Sequence, residues 1–468
     1  MITKVQRRRL LRNAPRSSRA ASTVAATQGW SGRFGFLMAS IGFAVGLGNI
    51  WRFPYVTGEN GGSAFVLVYL ACVFAIGVPI LMAEVLLGRR GQGTPPASFG
   101  ALASASDRSS SWAVVGYLNL LTAFAILVGY GVVAGWVIFY LVEALSTSFN
   151  GFDAASSQNL FATLTSDTVA VLLWTVIALG AAGLIIAGGV KGGIERAVTV
   201  LMPLLFLLLL GLAVFNLFAG GMPEAIDYLF TPDFSKLDGS VILAAVGQAF
   251  FSIGVAMAGM MMFGAYLPKD ISIAGSAFII VIADTLVAVL AGLVIFPMVF
   301  ANGLDPAGGP GLIFQTLPVA FAQMAGGYVI APLFFLLLSV AAVTSIVGLI
   351  EPIGVWVSEK FQLSRPRTTV LIVAVLMGFS VVSALSYNVW LDVSLLGMSL
   401  GTLIDFVPNQ IMLPVGGFAI AIFVGWFVSK EISSEELGLS NQPFKIWYQL
   451  LRYVVGPAVF LIFVGGLI

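Results

Sequence analysis

The stretch GFAVGLGN, residues 42–49, puts three glycines and a terminal amide inside an otherwise apolar segment. Glycine costs about 1 kcal/mol against alanine in a helix interior, and backbone opened inside a bilayer finds no water to satisfy it. Gly42 and Gly46 alone would read as a small-residue packing face. Gly48 and Asn49 follow at once, however, and then Trp51, Arg52, Phe53 and Pro54. An arginine and a proline just past a glycine cluster point to an interrupted helix. Such backbone is tolerated at membrane depth where it lines a cavity or is buried in protein.

The composition sets that segment in a membrane. Of 468 residues, 59% are hydrophobic and 9% charged, whereas soluble domains are about a quarter charged. The chain reads as an all-α polytopic membrane protein. It has no histidine, hence neither the commonest metal ligand nor the usual neutral-pH base. Its one cysteine, Cys72, excludes an internal disulfide. A membrane enzyme would be left with serine and aspartate. Nothing suggests a nucleic-acid partner. Residues 1–28 carry seven cations, among them Arg7, Arg8 and Arg9, and no acid. No apolar core of a secretory signal follows within them. The segment 1–29 reads as a basic cytoplasmic tail; an organelle transit peptide has similar composition.

A membrane helix needs about 20 apolar residues. Eleven spans are expected, at 34–58, 63–88, 112–146, 167–187, 192–218, 241–267, 272–301, 329–359, 368–386, 402–428 and 444–468. With the N-terminus inside, only Arg52 and Lys236 of the 22 Lys and Arg residues fall on the outer side, as the positive-inside rule requires. The C-terminus is then outside, in a multi-pass protein of a cell inner membrane. The apolar loop 302–328, rich in Pro and Gly, is expected to hold a short re-entrant helical hairpin. The eleventh span, 444–468, is expected to be peripheral.

The sixth span, AVGQAFFSIGVAMAGMMMFGAYLPKD (245–270), has its own weak point. Gln248 and Ser252 precede Gly254, with Ala256, Ala258 and Gly259 beyond. Spans one and six hold matching places in two sets of five, 30–218 and 241–428. Five is odd, so the second set is inverted. Interrupted helices at matching places in inverted halves point to a transport site at the midplane. Freed carbonyls there can coordinate a cation, and freed N–H groups can hold a carboxylate.

These residues resemble the neurotransmitter:sodium symporters, in particular the bacterial sodium-coupled amino-acid transporters. WSGRFGFLMASIGFAVGLGNIWRFPYVTGENGGSAF (30–65), GVPILMAEVLLGRR (77–90), GQAFFSIG (247–254), DTLVAVLAGLVIFP (284–297) and DFVPNQIMLPVGG (405–417) match family motifs. The resemblance implies two inverted five-helix repeats, with helices one and six unwound at the midplane around substrate and two sodium ions. It implies a first sodium site from the Ala44 carbonyl, Asn49, Ser252, Asp284 and the substrate carboxylate. The second is formed by the Gly42, Val45 and Ala341 carbonyls with the Thr344 and Ser345 hydroxyls. Hydroxyls in membrane helices also commonly bond back to the preceding turn.

The resemblance further implies a pocket of Ile126, Tyr130, Phe251, Gly254, Met257, Ser345 and Leu349, with the Ala44–Gly48 backbone and Ser252 beside it. Monoamine carriers of the family place an aspartate where this chain has Gly46. Glycine leaves the Leu47 and Gly48 amides free for a carboxylate, so an amino acid is expected, and the apolar, uncharged pocket suits a neutral, hydrophobic side chain. Chloride-dependent relatives have Asn and, four residues on, Ser where this chain has Asp284 and Ala288. Chloride independence is therefore expected, and a proton on Asp284 would permit counter-transport. Arg52 and Asp405 are expected to form an outer gate over a lid of Tyr130 and Phe251, and Tyr266 and Glu359 one side of an inner gate. The family's inner-gate arginine would fall at Thr27; Arg33 or a tail arginine is the candidate substitute. Glu84 is expected to accept hydrogen bonds from unwound backbone, and Glu351 to lie near the inward pathway. The protein is expected to act as a monomer or weak dimer in the lipid bilayer. Rival readings are a proton-coupled carrier or a non-transporting amino-acid sensor of the same fold. A channel is disfavoured by buried gates.

Overall fold

The computed structural model describes residues 29–466 apart from 148 and 308; the expected basic tail lies outside them. Among the described residues nine helices are long and apolar enough to cross a membrane unaided. They are Ser63–Gly91, Ser110–Ser146, Thr168–Ala187, Val190–Ala219, Ile273–Ala301, Gly327–Phe361, Arg365–Leu385, Leu400–Phe427 and Asn441–Gly465. The two remaining expected spans are the two broken ones. Span one is a pair, Arg33–Ala44 and Gly48–Glu59, bent by 48°. Span six is Gly239–Ser252 and Gly259–Ala265, joined by non-helical residues 253–258.

The elements form where the sequence lets them. Span six starts at Asp238, whose carboxylate accepts from the Val241 amide at 2.9 Å, the N-cap arrangement that satisfies an otherwise orphaned donor. The Ser240 hydroxyl and that amide hold the carboxyl below its ordinary range. The long eighth span, Gly327–Phe361, runs through the middle of the molecule and is buried along most of its length. Spans four, five and nine turn Leu184, Leu207, Phe218 and Val370 outward, as lipid-facing helices do. The last span is also largely exposed, at the periphery.

Spans two and six meet backbone to backbone. A Cβ built on Gly88 would lie 1.8 Å from the Met261 carbonyl oxygen, and one on Gly264 would lie 2.6 Å from that of Val85. Without side chains there, the helices approach more closely than any other residue allows. Trp447 closes the neighbouring seam with a hydrogen bond to the Pro79 carbonyl at 3.0 Å. On the face that carries most of the cations, buried Arg89 pairs with Glu436 at 2.5 Å and donates to the Ile271 carbonyl at 2.6 Å. This ties span two to the connection between spans ten and eleven. A buried charge in such a place is tolerable only when it is paired and hydrogen-bonded.

The loop at 302–328 differs from the expected hairpin. It holds a 3-10 turn, Gly309–Leu312, and one short helix, Thr316–Gln323. Proline and glycine shorten the first arm to a turn. Phe314 fills the space instead, packed against Trp51, Trp136, Tyr140 and Phe161.

Gly88→Ala forces apart two backbones that cannot yield, and overpacking of this kind costs about 1–3 kcal/mol. Its thermal midpoint in detergent falls measurably. Gly180, whose added Cβ would meet nothing within 4 Å, is the control: Gly180→Ala leaves the midpoint level or raises it.

Candidate functional site

The last regular hydrogen bond of span one's first half runs from the Val45 amide to the Ile41 carbonyl, at 2.7 Å. Val45 then adopts an extended conformation. The next amides leave the helix: Gly46 donates to Asn49 Oδ1 at 3.1 Å, Leu47 to the Tyr130 hydroxyl at 3.3 Å, and Asn49 to the Gly46 carbonyl at 3.1 Å. A helix ends with its last carbonyls lacking intrahelical donors. Here those carbonyls belong to Gly42, Phe43, Ala44 and Val45, buried at the centre of the molecule.

Gly46 is needed for close approach. A Cβ there would lie 2.4 Å from Ser345 Oγ and 3.0 Å from the Tyr130 oxygen. At Gly48 it would lie 3.0 Å from the Phe251 ring. Spans one, three, six and eight therefore converge on two glycines.

Beside them lies a fully buried polar cluster. The Asn49 amide donates to Asp284 Oδ1 at 2.7 Å and to Ser252 Oγ at 2.8 Å, and the Ser252 hydroxyl donates to Asp284 Oδ2 at 2.7 Å. The Tyr69 hydroxyl lies 3.4 Å from Ser252. Asn49, Ser252 and Asp284 are far apart in sequence and share one centre. All are oxygen-bearing, which suits a hard cation. To coordinate one, the Asn49 amide would turn its oxygen away from the Gly46 N–H and toward the carboxylate.

The residues of the second expected cation site also face the break, though not all in ligating form. Ser345 Oγ donates to the Phe43 carbonyl at 3.3 Å. Thr344 Oγ1 bonds back to the Val340 and Ala341 carbonyls, at 3.0 and 3.1 Å. Ala341 is buried one turn above.

Span six opens through Gly254 at φ +72° and two alanines, Ala256 at +61° and Ala258 at +65°. An alanine in the left-handed region costs on the order of 1 kcal/mol and persists only where its surroundings fix it. Glu84, fully buried, accepts from the Ala256 amide and supplies that fixing. The expected pocket side chains Ile126, Met257, Leu349 and Ser345 are buried, with Tyr130 and Phe251 half-buried beside them. The sequence reading missed Phe43. Its ring fills the space over Gly254, Gly259 and Gly348, where added Cβ atoms would sit 3.1, 2.5 and 2.2 Å from it. A large residue at 43 facing glycines at 254, 259 and 348 is a complementary size pattern.

The residues expected at the two gates find other partners than expected. Arg52 donates to Gln248 Oε1 at 2.9 Å, and its guanidinium lies 4.7 Å from the Phe251 ring centroid. Gln248 in turn donates to the Gly48 carbonyl at 2.9 Å. Asp405 accepts from Asn409, one turn along, at 2.8 Å, and forms no ion pair with Arg52. Gln248, adjacent on span six, takes the arginine instead. Above them opens a cavity of about 380 Å³ bounded by Arg52, Tyr55, Phe251 and Gln410.

At the opposite end, the acid that meets Tyr266 is Glu351, not Glu359. The Tyr266 hydroxyl donates to Glu351 Oε1 at 2.8 Å, and Glu351 pairs with Arg365. The reason is helical rise. Glu359 lies two turns farther along span eight, about 12 Å on, and is half-exposed near the helix end. The cation that meets Glu351 is Arg365, not Arg33; the tail arginines that were the other candidates lie outside the described residues. It follows a short connection that folds the ninth span back onto the eighth, a geometry no local motif announces. Trp30 closes this end, donating through its backbone N–H to the Tyr266 carbonyl at 3.3 Å and through Nε1 to that of Phe263 at 3.1 Å.

The family model described as the Sodium:neurotransmitter symporter family matches residues 27–157 and 158–468. The sodium-dependent transporter YhdH of Bacillus subtilis (strain 168) is 34% identical over 440 residues, covering 93% of this chain and 97% of that protein. A sodium-dependent transporter of Haemophilus influenzae (Rd) is 33% identical, covering 94% and 98%. Among solved structures, that of MhsT in complex with L-phenylalanine matches with a TM-score of 0.87 and 39% identity, covering 94% of this chain and 99% of MhsT. With two broken helices meeting around an oxygen-rich centre, and this agreement along the whole chain, the protein belongs to the sodium:neurotransmitter symporter family.

Proposed function

We propose that the chain takes up a neutral, hydrophobic α-amino acid by sodium-coupled alternating access, without chloride. The observation that carries this reading is the buried Asn49–Ser252–Asp284 cluster next to the opened Gly46–Leu47 backbone. A cation held by the cluster lies beside amides that would receive a carboxylate, so ion and amino acid bind as a pair. That is the coupling. MhsT, the similar structure, was solved with L-phenylalanine, which supports the substrate class. A second sodium ion would bind the Gly42, Val45 and Ala341 carbonyls, with Ser345 and a rotated Thr344 completing the set.

Asp284 supports the chloride argument. It brings a fixed negative charge to the cation, so no mobile anion is required for balance. Ala288, four residues on, offers no hydroxyl to an anion. Orientation follows the charge pattern: the Lys- and Arg-rich loops face the cytoplasm, so the Arg52 cavity opens outward and Trp30 closes the inside. On the inner side the Tyr266–Glu351–Arg365 chain acts as the latch between spans six, eight and nine. The repeats at 30–218 and 241–428 are the bodies between which the site is alternately exposed.

The first test is uptake of a panel of radiolabelled amino acids into proteoliposomes under a sodium gradient. Hydrophobic neutral amino acids accumulate, and replacing chloride with gluconate leaves the rate unchanged; a chloride requirement, or uptake driven by a proton gradient alone, refutes the reading. Asp284→Asn removes the one charge from the first ion site and raises the sodium concentration for half-maximal uptake by about tenfold or more. Gly46→Ala, whose methyl group collides with Ser345, abolishes substrate binding in scintillation proximity assays, while the thermal midpoint stays within a few degrees of wild type.

A further inference from the structure

The last span is not apolar throughout. Its first part, Asn441–Leu450, is amphipathic, and Arg452 follows in the next turn. From Arg452 to Gly465 the helix rises about 20 Å, less than the roughly 30 Å hydrocarbon layer. Arg452 thus sits on the inner side of that layer, short of its edge, with a long side chain that can reach toward the interface. Among the described residues no carboxylate lies within ion-pair distance of it, and its Nε is buried without a hydrogen-bond partner. A charge at this depth ordinarily pairs.

The surroundings hold Arg452 in place. Its guanidinium lies 4.9 Å from the Trp426 ring, 5.0 Å from Tyr448 and 5.9 Å from Tyr453. Its stem runs along span ten where Gly425 leaves room; a Cβ there would lie 3.0 Å from Arg452 Cγ. Beside it a cavity of about 680 Å³ is lined by Lys430 and Lys445, with Lys430 Nζ 6.0 Å from the Tyr448 ring. Two acids share the rim: Glu435, which already pairs with Arg90 at 3.2 Å, and Glu431. Tyr453 and Ile446 are exposed on the same helix, facing where lipid would lie.

We propose that this cavity binds the phosphate of an anionic phospholipid of the cytoplasmic leaflet, with Arg452 as the planar, two-pronged donor and Lys430 and Lys445 as supporting charges. Basic pockets beside membrane helices on the cytoplasmic side suit such headgroups, and the guanidinium fork matches phosphate geometry. The aromatic rings fix the fork and sit at the depth where Trp and Tyr belong. Commitment to a lipid rests on position: the cavity opens beside an outward-facing helix at the membrane edge.

The test is native mass spectrometry of the purified full chain after incubation with equal amounts of phosphatidylglycerol and phosphatidylcholine of matched acyl chains. Wild type retains phosphatidylglycerol in preference. Arg452→Gln lowers that retention about fivefold and leaves phosphatidylcholine unchanged, whereas Arg196→Gln, an exposed basic-side cation away from the cavity, leaves both unchanged. Arg452→Lys, which keeps the charge and loses the fork, falls between wild type and Arg452→Gln and carries the test if the glutamine variant fails to fold. Equal retention of the two lipids by wild type, or full retention of phosphatidylglycerol by Arg452→Gln, overturns the proposal. So does wild-type behaviour of Arg452→Lys, and so does complete displacement of the lipid by millimolar inorganic phosphate, which would mark a free-anion site.

Discussion

The hydrocarbon layer supplies no water, and every opened backbone group inside it must find a partner in the protein. That constraint organises this molecule. Two helices are broken at mid-depth, and each break is held by side chains from other spans. Tyr130 and Ser345 serve the first break, joined by Asn49 of span one itself, and Glu84 serves the second. The glycines at 46 and 48 admit these partners. On the proposed reading, this same opened backbone is what an ion and a carboxylate bind, and the side chains that satisfy it stand beside those positions.

Charge obeys the same rule at higher stakes. Asp284 is enclosed by hydrogen-bond donors from spans one and six, and Glu351 by a tyrosine and an arginine. Arg89 reaches Glu436 and a carbonyl. Each buried charge joins spans that are separate in sequence, so the ionic contacts are also the long-range fasteners. Arg452 departs from the pattern, with rings on several sides and, among the described residues, no carboxylate within ion-pair distance.

Much of this was legible in the sequence. Periodic apolar length set the eleven spans, and glycine clusters next to polar residues marked both breaks. Asn49, Ser252 and Asp284 were expected together and meet within 2.8 Å. What escaped was set by tertiary geometry. Which of Glu351 and Glu359 faces Tyr266 depends on how far span eight is advanced past span six, and hydropathy does not fix that. Arg365 meets Glu351 because a tight connection folds span nine back. Arg52 was paired with Asp405 through the family resemblance, but a neutral glutamine adjacent on span six takes it. Phe43 looked like one more apolar residue, and only its three glycine neighbours reveal it as a filler of the central space.

The glycine seam between spans two and six has a mechanical consequence. The Gly259–Ala265 half of span six lies backbone against backbone on span two, with carbonyl oxygens where side chains would be. Such a seam transmits force and does not slide. The Arg33–Ala44 half of span one meets the same region through side chains: Trp30 just before it, by two hydrogen bonds and edge-on rings, and Phe43 against Phe263 and over Gly254 and Gly259. Two halves that look equivalent by symmetry are thus joined to their neighbours by different means. One is joined to its neighbour by backbone, which leaves no rotamer to adjust, and the other by side chains, which can repack without breaking the main chain.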